Sequence, residues 1–125
     1  MDIIISNASG KPIYEQIVSQ IKQLILSNAL QAGDALPSMR LLAKDLRISV
    51  ITTKRAYEEL EREGFIETIV GKGSFVASKN EDFLKEEQLR LIEGHLHKAT
   101  TLARQCGIAE EELVSIIHLL YQEDI

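Results

Sequence analysis

The chain has 125 residues, 45% apolar and 26% charged, with a formal net charge of −5. That is enough for one domain, or a small domain with an extension, and for a core that needs no covalent staples. The single cysteine, Cys106, excludes an intrachain disulfide framework, and no apolar run approaches the roughly 18 residues a membrane helix needs.

The first residues, MDIIISNASGKPIYE, carry an acid at position 2 and only three consecutive isoleucines. They do not form a secretory signal, so a cytoplasmic protein is expected. Ile3 to Ile5 suit a short strand or a hydrophobic arm. Ser9-Gly10-Lys11-Pro12 breaks the chain, with Pro12 placed for the first turn of a helix. Ile13, Ile17, Ile21, Leu24 and Ile25 then recur at helical spacing to about Asn28. After a turn at Ala32-Gly33-Asp34, Leu36-Pro37-Ser38 leads into a second helix with Ser38 as N-cap and an expected apolar face of Leu41, Leu42 and Leu46. Arg47-Ile48 is a tight connection, Ser49 caps a third helix, and Gly64 ends it.

Two strands are expected, Phe65 to Val70 and Ser74 to Ala77, joined by Gly71-Lys72-Gly73 as a hairpin loop. Ser78 to Glu81 is polar and reads as a boundary, dividing residues 1–78 from 79–125. Helical spacing resumes from Asp82 to Cys106, where Leu89, Ile92, Leu96, Ala99, Ala103 and Cys106 form a seam of the coiled-coil kind. Gly107 ends that helix. A last one starts near Ala109, with Glu110, Glu111 and Glu112 at the end where the helix dipole favours acids. Its apolar face is Leu113, Ile116, Ile117 and Leu120. Residues 79–125 are too few to fold alone, so this seam must pack on something, and the simplest partner is a second copy of the chain.

Charge is unevenly placed. Residues 1–78 hold nine Lys/Arg and nine Asp/Glu, whereas 79–125 hold five and ten. Residues 36–55 carry five cations (Arg40, Lys44, Arg47, Lys54, Arg55) against one acid, Asp45. A local basic patch on an acidic chain fits a bounded footprint on nucleic acid; a solvated charged face is the plainer alternative.

The stretch "SVITTKRAYEELEREG", Ser49 to Gly64, opens with four β-branched residues, which lose side-chain freedom in a helix. Leu42 to Ser49 followed by Val50 to Leu60 has the pattern of a helix–turn–helix, with Ala43 small enough for close approach and Leu42, Leu46, Ile48, Ala56 and Leu60 at inward positions. In that arrangement the start of the second helix faces a major groove. Thr52 and Thr53 can then meet phosphates or base edges, Val50 and Ile51 a thymine methyl, and Lys54 and Arg55 phosphate or guanine. The alternative is that Val50 and Ile51 are core. Arg47 stands in the turn where glycine is usual, and a positive φ there would cost about 1 kcal/mol. Thr53 stands where an aliphatic residue usually packs.

"LPSMRLLAKDLRISVITTKRAYEELEREGFIETIVGKGSFVA", Leu36 to Ala77, resembles the DNA-binding domain of GntR-family bacterial transcription regulators. The LPS-x-R-x-LA opening, the A-Y-x-x-L-x-x-x-G-F-I run and the G-K-G-S-F-V wing come in order, and with Pro12-Ile13-Tyr14 the match covers about Lys11 to Ser78. The short tail of two predicted helices is similar to the YtrA subfamily. The resemblance implies a mainly α fold with a small β-hairpin wing. Such a winged helix–turn–helix, with a C-terminal helical dimerisation region, would bind double-stranded operator DNA as a homodimer, most simply as a repressor. It assigns Arg40 to a DNA contact at the second helix, Thr52 and Lys54 to the recognition helix (49–63), and Gly71 to the tip of the wing (65–77) at the minor groove, with Lys72 beside it. Ser49, Val50, Ile51 and Arg55 complete the expected DNA-binding set; Leu89, Ile92, Leu96, Ala99, Ala103, Leu113, Ile116, Ile117 and Leu120 are the expected dimer contacts. Met39 replaces a frequent acid beside Arg40, and Val50 replaces an arginine common after the capping serine, so no operator preference carries over.

GKGS is not a nucleotide loop: Lys72 precedes a glycine and a strand follows, whereas a Walker sequence leads into a helix. His95 and His97 diverge on a helix and His118 lies on another, which suits isolated histidines better than a metal site. Cys106 on the seam reads as a small buried hydrophobe. No catalytic constellation and no cofactor motif stands out, so an enzyme is not expected. A small-molecule effector between the tail helices and no effector at all both fit. A winged-helix module that binds protein rather than DNA is the alternative of a different class.

Overall fold

The computed structural model describes residues 1–78 and 81–123. The elements run α1 (Ile13–Leu26), α2 (Met39–Leu46), α3 (Val50–Arg62), β1 (Ile66–Ile69), β2 (Gly73–Val76), α4 (Glu81–Cys106) and α5 (Glu110–Glu123). Two compact units result, Met1–Leu84 and Lys85–Ile125. The boundary expected at 78 lies six residues before this division, and the first turn of α4 goes with the first unit. There the Phe83 ring meets Phe65 edge-on at 6.2 Å.

In the first unit α3 packs against α1, α2 and β1. Ile17, Ile21, Ala56, Tyr57 and Leu60 are fully or almost fully buried, with Phe65, Ile66 and Val76 closing the core from the hairpin. β1 and β2 pair antiparallel, Ile66 opposite Val76 and Ile69 opposite Gly73. The other edge of β2 is covered by residues 33–36: Gly33 N–H donates to Val76 O, Val76 N–H to Asp34 O, and Leu36 N–H to Ser74 O, at 2.8–2.9 Å. The N-terminal residues form an arm and no strand. Ile3 is buried, and two glutamines of α1 hold the arm's backbone from both sides. Gln16 accepts from Ser6 N–H and donates to Ser6 O, while Gln20 accepts from Ile4 N–H and donates to Ile4 O.

Caps fall where the hydroxyls stand. Ser38 accepts from Leu41 N–H and Ser49 from Thr52 N–H, both at 3.1 Å. Gly64 has φ +83°, as its place after α3 requires. Arg47 does adopt the left-handed conformation, φ 58° and ψ 47°. Arg47→Gly is therefore expected to raise stability by about 1 kcal/mol in urea unfolding; no gain would mean that Arg47 supplies a compensating contact.

The α2 face is corrected. Leu41 is 49% exposed, while Leu42 and Ala43 are buried and Met39 and Leu46 pack partly against the core. The inward set 39, 42, 43, 46 follows the i, i+3, i+4, i+7 rule, and Leu41 lies about 150° from the centre of that face. The first strand ends at Ile69, leaving Val70 in the turn, and Gly73 belongs to β2 instead of the loop.

In the second unit Ala103 is buried, and Ile108 N–H donates to its carbonyl where the chain turns toward α5. Leu89, Ile92, Leu96, Ile116, Ile117 and Leu120 are exposed, as is Ala99; Leu113 is half-buried. Cys106 is exposed, contrary to its expected burial, because its place at the last turn of α4 leaves the thiol outside any core. No described helix is long and apolar enough to cross a membrane.

Candidate nucleic-acid interface

The four β-branched residues of α3 divide by face. Thr53 is fully buried, its single hydroxyl proton shared between Val50 O (2.8 Å) and Met39 O (3.1 Å), so a polar residue takes the aliphatic site without an unpaired group. Val50 and Ile51 point outward, Ile51 being 79% exposed. That rules out the alternative in which both are core. Thr52 is half-buried, and its hydroxyl lies 2.8 Å from that of Ser49.

Lys54 and Arg55 follow this exposed turn on α3, and Arg40 and Lys44 on α2 and Arg47 after it are likewise exposed. Among the described residues no carboxylate pairs with Arg40, Lys44, Arg47, Lys54 or Lys72. Two acids at the end of α3 are engaged elsewhere. Glu63 binds Lys22 of α1 at 2.6 Å, and Glu59 takes a two-point hydrogen bond from Arg62, which draws its carboxyl below the usual carboxylate range. The cations of the α2–α3 edge are thus left for an outside anion, while Arg62 at the far end of α3 is consumed internally.

The wing is a tight turn closed by Lys72 N–H to Ile69 O at 2.9 Å. Gly71 and Gly73 have φ +79° and +111°, and a side chain at either would meet nothing within 4 Å. What requires glycine there is the backbone conformation; the open space lets the backbone approach a narrow groove. Val70 at the tip is 97% exposed.

Two contacts were not legible as site features. The Arg55 guanidinium stacks on the Tyr14 ring of α1, 3.8 Å from its centroid. Tyr57 donates its hydroxyl to Pro37 O at 2.7 Å, and burial pushes its pKa up to about 12. Tyr14 lies 41 residues from Arg55 in the chain, and no local pattern links them. The described residues contain no group of three His, Cys, Asp or Glu that could hold a metal. Surface grooves run along single helices, one past Arg55, Glu58, Glu59, Glu61 and Arg62, another past Leu89, Ile92 and Leu96.

A helix–turn–helix followed by a two-stranded wing, with unpaired cations at its leading edge, defines a winged-helix DNA-binding protein. Residues 13–76 match the family model described as bacterial regulatory proteins, gntR family. The HTH-type transcriptional repressor YtrA of Bacillus subtilis is 39% identical over 111 residues, 89% of this chain and 85% of that protein. A crystal structure of a transcriptional regulator from Oenococcus oeni superposes with TM-score 0.76 at 29% identity, covering 94% of this chain and 97% of the other. YtrA from Sulfolobus acidocaldarius, a GntR-family transcription factor, gives 0.57 at 35% identity over 98% of each chain. The chain belongs to the GntR family, as a YtrA-like member, and is a DNA-binding transcription regulator.

Proposed function

We propose that the chain is a homodimeric repressor, acting in the cytoplasm without catalytic activity of its own. Each protomer would seat α3 with its caps, residues 49–63, in the major groove of one half of a two-fold symmetric operator. The wing, residues 65–77, would lie at the minor groove. The single observation that carries this reading is the exposed aliphatic turn, Val50 and Ile51, followed on the same helix by Lys54 and Arg55, which no carboxylate among the described residues neutralises. Arg40, Lys54, Arg55 and Lys72 supply charge, Ser49 and Thr52 supply hydroxyls, and Gly71 allows close backbone approach. Repression is suggested by the YtrA relative. Dimerisation is suggested by the second unit, which buries Ala103 but leaves Leu89, Ile92, Leu96, Ile116, Ile117 and Leu120 exposed. A two-helix piece of this size lacks the burial to stand alone. An effector, if one acts, would be a small molecule binding the tail.

The test is selection of bound fragments from a random duplex pool at about physiological salt. Enrichment of a two-fold symmetric site is expected, and Lys54→Ala should weaken binding and lower the salt slope by about one unit for each phosphate it no longer neutralises. Retention without enrichment would leave only electrostatic binding and overturn the sequence-specific reading. No retention would favour a protein-binding module.

A further inference from the structure

We infer that Tyr14 is a positioning residue for DNA binding: its ring holds Arg55 ready for a backbone phosphate and away from the carboxylates of its own helix. The inference rests on the interface proposed above.

Arg55 has acids three and four residues ahead of it, Glu58 and Glu59, the spacing at which side chains on one helix meet. The same shallow groove is lined by all three. Glu59 is occupied by Arg62, but Glu58 is exposed and takes part in no ion pair among the described residues. Without the ring, Arg55 would be within reach of Glu58, whose carboxylate would compete with a phosphate for the guanidinium. It instead stands over the Tyr14 ring, its Cζ 3.8 Å from the ring centroid. A stacked guanidinium spends its face on the ring and keeps its in-plane N–H donors free, which is the geometry for two-point recognition of a phosphate. The Tyr14 hydroxyl leans on Glu15 at 3.3 Å, so the ring alone does the positioning. Tyr14 sits in the first turn of α1, outside the helix–turn–helix, which ties that helix to the cationic edge.

Phosphate contacts do not depend on sequence, so a random-sequence duplex of about three helical turns is a sufficient probe. Kd is measured over a salt series for the full chain and its variants. Tyr14→Leu should weaken binding about tenfold and lower the salt slope by about 0.9 for each phosphate left unneutralised, matching Arg55→Ala. Tyr14→Phe should bind as the wild type does. Glu58→Gln added to Tyr14→Leu should restore most of the affinity, because the competing carboxylate is gone. A purely structural tie between α1 and α3 would lower the melting temperature without changing the slope, and Glu58→Gln would rescue nothing; that result overturns the inference. If Tyr14→Leu does not fold, Tyr14→Met carries the same comparison. A wild-type chain that binds no duplex would overturn the interface itself, a result distinct from wild-type binding with an unchanged Tyr14 variant.

Discussion

Lysine at both Ile116 and Ile117 is expected to make the chain monomeric in sedimentation and to weaken its binding to a two-half-site duplex by about 100-fold or more. Both side chains lie open on α5, 47% and 40% exposed, so the substitutions leave the buried core untouched. Two charges would oppose any apolar association through that face. The weakening comes from geometry: two linked half-sites are bound with an effective concentration that a monomer does not have. Affinity for a single half-site should be unchanged, which separates a failure of dimerisation from a failure of folding. A variant that remains dimeric would move the interface away from α5. Cutting the chain after Leu84 is the companion experiment, because a cut at Ser78 would also remove the Phe83 ring from Phe65.

Leu60→Ala is expected to lower the stability of the first unit by about 3 kcal/mol in urea unfolding. Leu60 is fully buried on the helix that meets α1, α2 and β1. Its removal opens a cavity that three elements must collapse to fill, and a close-packed interior relaxes only in part. Leu41→Ala is the control. On an inward face of α2 it would cost as much, but its side chain is half in solvent, and a change within about 0.5 kcal/mol is expected. A large destabilisation at Leu41 would return that leucine to the inward face of α2.

That pair marks what a sequence can and cannot disclose here. Ser38, Ser49 and Gly64 act within three or four residues of themselves, through caps and turns that local chemistry determines, and all three are found where expected. The left-handed Arg47 was legible because it stands in the turn where a helix–turn–helix usually has glycine. An eight-residue helix with three leucines among its apolar residues has little power to choose its inward face, because Leu41 and Leu42 differ by a rotation that only the neighbouring helices decide. The site divides likewise. The basic, β-branched start of α3 was plain in the sequence. The burial of Thr53 against Met39 O and the stacking of Arg55 on Tyr14 join positions 14 and 41 residues apart. No periodicity carries such information. The extent of the first unit was missed because one aromatic contact, Phe83 on Phe65, reaches past a polar stretch that looks like a linker.

The hydroxyls of Thr53 and Tyr57 both end on backbone oxygens at the front of α2, Met39 O and Pro37 O. These two bonds tie α3 to the segment that leads into and opens α2, and they resist a roll of α3 in its seat. In the dimer proposed above, the gap between two such modules would be the easier thing to adjust, and the pair would act as a calliper, more sensitive to the distance between half-sites than to small changes within them.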